Sequence, residues 1–133
     1  MSFKFPIRVY WEDTDAGGIV YYANYLKFLE RARTEWLRSL GISQHALRAA
    51  AGGMFVVREA SLRYHRPARL DDELLVTAHV EEMRRASLLL AQEVVLLDDS
   101  VLLCEGTIRI GWVDSGSLKP ARIPPNLLEL FKK

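Results

Sequence analysis

The chain has 133 residues, of which 50% are hydrophobic and 26% are charged, and its formal net charge is +1. This length is typical of one domain with a substantial core, so we expect residues 1–133 to form a single domain. The balanced charge argues against nucleic-acid binding, and the single cysteine, Cys104, excludes an internal disulfide. The sequence has neither a membrane-spanning apolar run nor a signal peptide, so we expect a cytoplasmic protein without an integral membrane segment.

The first elements in chain order are a strand, a loop and a long helix. Residues 3–10 are rich in β-branched and aromatic side chains, which favours a strand. After the loop, apolar residues recur at helical spacing over four to five turns, with Asn24 as the expected cap and Gly41 as the expected stop. Leu26 and Leu37 widen the apolar stripe, which predicts a helix covered on much of its circumference by a curved sheet.

A short helix comes next, and another closes the chain. Ser43 is the expected cap of the short helix, which ends at Gly52. Pro124-Pro125 predicts the start of a C-terminal helix.

Four strands are predicted between these two helices. Period-two alternation places them at residues 54–65, 72–83, 87–97 and 101–113. The expected core-facing residues are Val56, Ala60, Leu62 and Tyr64 in the first of them and Leu102, Cys104, Ile108, Ile110 and Trp112 in the last. One long helix and several strands, without crossover helices between them, predict an α+β fold with an antiparallel sheet.

An acidic, glycine-containing loop runs directly into the long helix. Residues 13–25 read Asp-Thr-Asp-Ala-Gly-Gly-Ile-Val-Tyr-Tyr-Ala-Asn-Tyr. A carboxylate in this loop lies beside a helix N-terminus, where free amide hydrogens and the positive end of the helix dipole gather. Such a place can stabilise negative charge that develops on a substrate oxygen. A carboxylate beside an oxyanion site suggests hydrolysis.

The same residues also have a structural interpretation. Asp13 and Asp15 are both typical of residues that cap a loop and favour a helix N-terminus. Gly17-Gly18 lets the backbone turn tightly and brings the next amides close to a substrate, an approach that a Cβ atom would obstruct. The three histidines have no metal-ligand spacing, so no metal site is expected.

Longer motifs resemble a known family. Residues 12–25, followed by Glu30-Arg31-Ala32-Arg33, resemble the 4-hydroxybenzoyl-CoA thioesterase family. Residues 67–72 (Pro-Ala-Arg-Leu-Asp-Asp) and 83–88 (Met-Arg-Arg-Ala-Ser-Leu) resemble the same family, most closely its branch of acyl-CoA thioesterases associated with the Tol-Pal gene cluster. The resemblance covers nearly the whole chain. It implies a hotdog fold, in which an antiparallel sheet wraps one long central helix, and a homo-oligomer, a dimer or a homotetramer, with active sites at subunit interfaces.

The resemblance also implies catalytic roles. Asp15 matches the catalytic aspartate, as nucleophile or general base, and the backbone amide of Tyr22 would stabilise the oxyanion, while Asp13 is expected to be structural. The Tol-Pal branch often has histidine at position 22. A tyrosine titrates near pH 10, so the Tyr22 side chain is expected to pack or to donate a hydrogen bond.

The expected substrate-binding residues lie in two parts of the chain. They are Gly17, Gly18, Tyr25, Arg84, Arg85 and Ser87. Tyr25 would line an acyl pocket, and the two arginines match the basic pair that holds the phosphates of coenzyme A, for which a guanidinium fork is well suited. Arginines at a strand junction are also typical of a solvated turn, and Ala86 replaces a further basic residue found in the hydroxybenzoyl branch.

The resulting hypothesis is hydrolysis of an acyl-CoA thioester, with no cofactor because coenzyme A is part of the substrate. One alternative is a hotdog dehydratase or isomerase, although these enzymes rely on a histidine and none lies near the loop. Another is a non-catalytic module that binds acyl-CoA or acyl carrier protein, against which the intact Asp15 argues. Association with Tol-Pal proteins is an expectation from the resemblance alone.

Overall fold

A computed structural model describes residues 2–132 of the chain. The elements in chain order are β1 (Phe3–Arg8), a 3-10 turn (Trp11–Asp13), α1 (Asn24–Ser39), α2 (Gln44–Ala51), β2 (Gly53–Tyr64), β3 (Glu73–Met83), β4 (Ser87–Leu96), β5 (Leu102–Asp114) and α3 (Pro125–Phe131). One long helix and a five-stranded antiparallel sheet confirm the predicted α+β class. No helix within residues 2–132 is long and apolar enough to cross a membrane.

The strand order in the sheet is β1-β3-β4-β5-β2, which leaves β1 and β2 as the edges. Arg8 in β1 pairs with Glu73 at the start of β3, and this defines what we call the proximal end of the sheet. The 84–86 turn between β3 and β4 lies at the other end of β3, which we call the distal end. Since a strand rises about 3.3 Å per residue, the two ends are roughly 30 Å apart along β3.

Helix α1 packs its apolar stripe on the sheet. Its buried residues are Tyr25, Phe28, Leu29, Ala32, Trp36 and Leu37. They meet strand residues such as Leu74, Leu90 and Ile108, which are at most 1% exposed. Each such side chain contributes about 1.5–3 kcal/mol on burial. The predicted covering of Leu26 is wrong for this chain alone, because this residue is 43% exposed.

The ends of the first elements differ from the prediction in two places. Strand β1 ends at Arg8 instead of residue 10, because the Tyr10 amide donates to the Asp13 carboxylate at the 3-10 turn. Asn24 is the first helical residue instead of the cap, because its side chain donates to the Asp13 carbonyl. The predicted stop is confirmed: α1 ends at Ser39, and Gly41 follows with a φ angle of 82°.

The other two helices are confirmed. The Ser43 hydroxyl accepts a hydrogen bond from the Ala46 amide at the start of α2, and Gly52 follows that helix in a left-handed conformation. Helix α3 begins at Pro125, and its Phe131 stacks on Trp36 with a centroid distance of 5.3 Å.

A bulge at Arg58 changes which residues of β2 face the core. Val57 pairs with Ile110 and Glu59 with Arg109, so Arg58 is the extra residue. The predicted inward orientation of Val56 is therefore wrong. Phe55 is the buried residue of this half-strand and packs on Trp112 and Phe131. A bulge shifts the side-chain alternation by one residue, which a uniform period-two pattern does not anticipate.

A second register shift lies between β4 and β5. Val94 pairs with Cys104 and Val95 with Leu102, which leaves Leu103 as the extra residue. Leu103 is 1% exposed, whereas Leu102, the predicted core residue, is only partly buried. The prediction for Cys104, Ile108, Ile110 and Trp112 is confirmed, since all four are buried.

Candidate active site

The acidic loop folds as a small hairpin at the proximal end of the sheet. Thr14 and Val20 form an antiparallel bridge, and the Asp15 amide donates to the Ile19 carbonyl at 2.9 Å. The Val20 amide in turn donates to the Ala68 carbonyl at 2.9 Å, which attaches the loop to the segment between β2 and β3. The loop backbone is therefore fixed from two sides.

Asp13 holds the base of this loop together. Its side chain is 5% exposed and accepts a hydrogen bond of 2.9 Å from the Tyr10 amide. Its carbonyl oxygen accepts from the Tyr21 amide at 3.0 Å and from the Asn24 side chain at 2.9 Å. These contacts join the 3-10 turn to the start of α1, so Asp13 occupies a scaffolding position.

Asp15, by contrast, is exposed. Its Oδ1 atom accepts a hydrogen bond of 2.8 Å from the Gly17 amide. A Cβ atom at Gly17 would lie 3.2 Å from that oxygen, and Gly18 has a φ angle of 78°, which favours glycine. The glycine pair thus shapes the turn around the carboxylate and leaves the Oδ2 atom available for chemistry.

The backbone before α1 provides a hydrogen-bond donor. The Tyr21 amide donates to Asp13 and the Asn24 amide to the Tyr21 carbonyl, but the Tyr22 amide has no acceptor within residues 2–132. Asp15 follows Asp13, the last residue of the 3-10 turn, by two residues, and Thr14 between them pairs with Val20, next to Tyr21. The Asp15 carboxylate and the available Tyr22 amide therefore belong to the same hydrogen-bonded loop, which leads into α1.

Four tyrosines surround this start of the helix. Tyr22 is 62% exposed, and its ring centroid is 4.9 Å from that of Tyr21 and 6.3 Å from that of Tyr64. The neighbouring Tyr22 hydroxyl raises the pKa of the Tyr21 phenol. The Tyr64 hydroxyl donates to the Tyr22 carbonyl at 3.2 Å.

Tyr25 lies deeper than the other tyrosines. It is 3% exposed, and its hydroxyl accepts a hydrogen bond of 3.0 Å from the Ala68 amide. Burial raises the pKa of this phenol. Its ring packs against that of Tyr64, with a centroid distance of 5.5 Å. Contact between Tyr25 and a substrate stays a prediction, and the structure places Tyr64 closer to solvent.

The predicted phosphate-binding residues lie at the distal end. Arg84 forms an ion pair of 2.5 Å with Glu82, and Arg85 is exposed. Ser87 is 4% exposed, and its hydroxyl accepts a hydrogen bond of 3.1 Å from Arg109. One chain therefore does not bring this turn together with Asp15, because they lie at opposite ends of β3.

A polar pair between α1 and the sheet, Arg33 and Gln92, was missing from the sequence predictions. The Gln92 side chain is 1% exposed and donates to the carbonyls of Leu29 and Thr77, both at 3.1 Å. Arg33 donates to the Gln92 oxygen at 3.0 Å. The signal was present, because Gln92 falls in the inward row of β4 among Leu88, Leu90 and Val94. Within residues 2–132, no group of three or more His, Cys, Asp or Glu side chains is placed to hold a metal ion.

Comparison with known proteins gives a consistent result. The family model described as the thioesterase-like superfamily matches residues 9–131. The acyl-CoA thioesterase YbgC of Haemophilus influenzae is 43% identical over 130 residues, which cover 98% of this chain and 94% of that protein. The acyl-CoA thioester hydrolase YbgC of Escherichia coli O6:H1 is 44% identical over 131 residues, which cover 98% and 96%.

A solved structure extends the comparison to the fold. Slr0204 of Synechocystis, described as a 1,4-dihydroxy-2-naphthoyl-CoA thioesterase, superposes with a TM-score of 0.92 at 22% identity, over 100% of this chain and 97% of that one. This likeness confirms the predicted hotdog fold. Because the family model spans nearly the whole chain, the chain belongs to the thioesterase-like superfamily.

Proposed function

We propose that this chain hydrolyses an acyl-CoA thioester to a free carboxylic acid and coenzyme A. One observation carries the proposal: the exposed Asp15 carboxylate, oriented by the Gly17 amide, belongs to the loop that leads into α1, where the Tyr22 amide has no acceptor within residues 2–132. Relatives at 43% and 44% identity that are named as acyl-CoA thioesterase or thioester hydrolase support it.

In the proposed reaction the Tyr22 amide binds the thioester oxygen, and the Asp15 carboxylate acts as nucleophile or as general base. The thioester carbonyl oxygen accepts a hydrogen bond from the Tyr22 amide, and the positive end of the α1 dipole stabilises the charge that develops on that oxygen. In one route the Asp15 Oδ2 atom attacks the carbonyl carbon, the C–S bond breaks, coenzyme A leaves as thiolate, and water hydrolyses the mixed anhydride. In the other route Asp15 takes a proton from the attacking water, and no covalent intermediate forms.

Replacement of Asp15 tests the proposal. Asp15→Asn keeps an oxygen for the Gly17 amide but removes the charge, so thiol release from acyl-CoAs is expected to fall by about a hundredfold or more while the circular dichroism spectrum is unchanged. Glu12→Gln, at an exposed position three residues earlier, is the matched control and should retain activity. Binding of acyl-CoA without thiol release by the unmodified protein would favour a non-catalytic module.

Solvent-oxygen labelling tests the covalent route. Under single-turnover conditions in labelled water, label in the Asp15 carboxylate, seen by peptide mass spectrometry, is expected if Asp15 attacks and water then opens the mixed anhydride at the Asp15 carbon. Label that enters only the released acid would exclude that pathway and leave either general-base catalysis or an anhydride that water opens at the acyl carbon.

We also propose that the protein works as a homo-oligomer, a dimer or a tetramer. Edge strand β2 is twelve residues long, and its Val57 and Tyr64 side chains are 52% and 46% exposed. Such an edge favours pairing with another strand. Antiparallel pairing of β2 with a second copy would bring the distal end of one chain beside the proximal end of the other. Arg84 and Arg85 would then bind the phosphates of a coenzyme A whose thioester lies at the partner's Asp15.

Light scattering at micromolar concentration tests the oligomer. The expected mass is two or four times that of the chain. A monomer that hydrolyses acyl-CoA at full rate would contradict this part of the proposal and would leave the role of Asp15 intact.

A further inference from the structure

One face of α1 and one face of β2 border the space that we call the α1–β2 trough. The helix row is Leu26, Glu30, Arg33 and Leu37, and the strand row is Tyr64, Leu62, Val57 and Phe55. The Tyr64–Tyr22 hydrogen bond joins the two elements near the start of α1. Further along α1, residues of both rows, among them Arg33 and Phe55, line a cavity of about 450 Å³.

The walls of this cavity combine apolar, uncharged polar and charged groups. Leu37, Phe55 and Val57 contribute apolar surface, while Glu30 and Arg33 contribute charge. The wall of the cavity on α1 runs from Glu30 to Leu37, six to thirteen residues from Asn24 and about 9–20 Å at 1.5 Å per residue. An acyl chain of medium length whose thioester carbonyl is held at the helix N-terminus can reach the near part of this wall.

Arg33 is the unusual member of the wall. Its side chain is partly buried, and burial lowers the pKa of the guanidinium, yet within residues 2–132 no carboxylate oxygen lies within ion-pair distance of it. Its NH1 atom donates to Gln92, whose own amide is fixed by two backbone carbonyls. A guanidinium has five N–H donors, so the remaining ones can serve a ligand in the cavity.

We propose that Arg33 determines acyl specificity by donating a hydrogen bond to an oxygen at the far end of an acyl group that lies in the α1–β2 trough. This assignment rests on the proposed function. The shared chemistry is a hydrogen-bond-accepting oxygen, as a carboxylate or as a hydroxyl. Glu30 distinguishes the two sources, because its carboxylate repels a second carboxylate but accepts a hydrogen bond from a hydroxyl.

The test compares three acyl-CoAs of equal carbon number: decanoyl-CoA, ω-hydroxydecanoyl-CoA and sebacoyl-CoA. The native protein is expected to show a kcat/KM about tenfold or more higher for at least one oxygenated substrate than for decanoyl-CoA. Arg33→Met keeps the length of the side chain, removes the donors and should bring this ratio close to one. The ratio of the two kcat/KM values does not depend on the fraction of folded enzyme, so the comparison stays valid if the variant is partly unfolded.

Arg31→Met is the matched control. Arg31 lies over the Phe28 ring and faces a different groove, beside β1, so its replacement should leave the ratio unchanged. Glu30→Gln then separates the two ligand types. It should raise kcat/KM for sebacoyl-CoA if the preferred oxygen is a carboxylate, and it should lower kcat/KM for ω-hydroxydecanoyl-CoA if the preferred oxygen is a hydroxyl.

Two results would overturn the assignment alone. Equal kcat/KM values for all three substrates in the native protein, or an unchanged preference in Arg33→Met, would show that Arg33 does not select the acyl group, while hydrolysis itself would uphold the proposed function. A change in oligomeric mass in Arg33→Met without a change in the ratio would assign the trough to a second copy of the chain. Failure to hydrolyse any acyl-CoA would defeat the proposed function and this assignment with it.

Discussion

The hydroxyl of Tyr64 donates a hydrogen bond to the backbone carbonyl of Tyr22, 3.2 Å away. This contact joins edge strand β2 to the turn from which α1 starts. The Tyr22 amide, our proposed oxyanion donor, belongs to the same turn. The contact therefore couples the position of this donor to β2, which is distant in sequence.

Tyr64→Phe is expected to lower kcat by up to about tenfold, because a neutral hydrogen bond contributes about 0.5–1.5 kcal/mol and the ring packing on Tyr25 is retained. KM should change little if the lost contact acts on the transition state. Tyr22→Phe is the matched comparison: it removes a hydroxyl but keeps the amide, and kcat should stay within about threefold of the native value. A larger loss in Tyr22→Phe than in Tyr64→Phe would assign the chemistry to the Tyr22 side chain.

Substitutions at the two loop glycines are expected to have different effects: Gly17→Ala should lower activity, and Gly18→Ala should lower stability. Gly17→Ala places a methyl group 3.2 Å from the Asp15 carboxylate oxygen, so kcat should fall while the melting temperature stays nearly constant. Gly18→Ala meets no neighbour within 4 Å but imposes a left-handed conformation on alanine, so it should lose about 1–2 kcal/mol of stability. Thermal unfolding and thiol-release kinetics of both variants test these two expectations. Equal losses of stability in the two variants would contradict them.

A mixing experiment tests whether two chains share each site. Asp15→Asn and the double variant Arg84→Ala/Arg85→Ala should each be weakly active alone. In random mixed dimers, half of the molecules contain one of each chain, and one of their two sites combines an intact Asp15 with intact arginines, so activity should recover to about a quarter of the native value. Sites built within one chain would show no recovery beyond the sum of the two variants.

Cys104 is expected to make stability depend on alkaline pH. Burial raises its pKa from the ordinary 9.0 to about 11, so the unfolded chain loses this proton at a lower pH than the folded protein. The contribution of the thiol to stability is complete below pH 9 and is lost as the pH rises towards 11. Urea unfolding at both ends of this range should show the decline, and the decline should be smaller in Cys104→Ala.

The sequence predicted those features that depend on local signals. Regular spacing identified α1, glycines with positive φ marked the ends of both longer helices, and alternation located the strands. The bulge at Arg58 was missed because one extra residue in a pair is set by the partner strand, β5, and leaves no local mark. Leu26 was misplaced because its covering depends on what lies over the edge of the sheet.

In the candidate site, too, residues of one local motif could be predicted, whereas contacts between distant segments could not. Asp15 and the glycine pair stand in one continuous motif, so the residues of the loop could be named in advance. The Arg33–Gln92 contact joins side chains 59 positions apart, and only the packing of α1 on the sheet brings them together. The separation of Arg84 from Asp15 could be recognised only from the strand register, because residue types alone do not show at which end of a sheet a residue lies.

The bulge in β2 also links two positions that are far apart in the chain. The side chain of Arg58 lies over Gly111 of β5, where a Cβ atom would collide with its stem. A larger residue at 111 must therefore displace the Arg58 side chain, which belongs to the bulge that turns Phe55 and Val57 towards α1. Redesign of this part of β2 thus involves β5 as well, because the space for the side chain at position 58 depends on the absence of one at position 111.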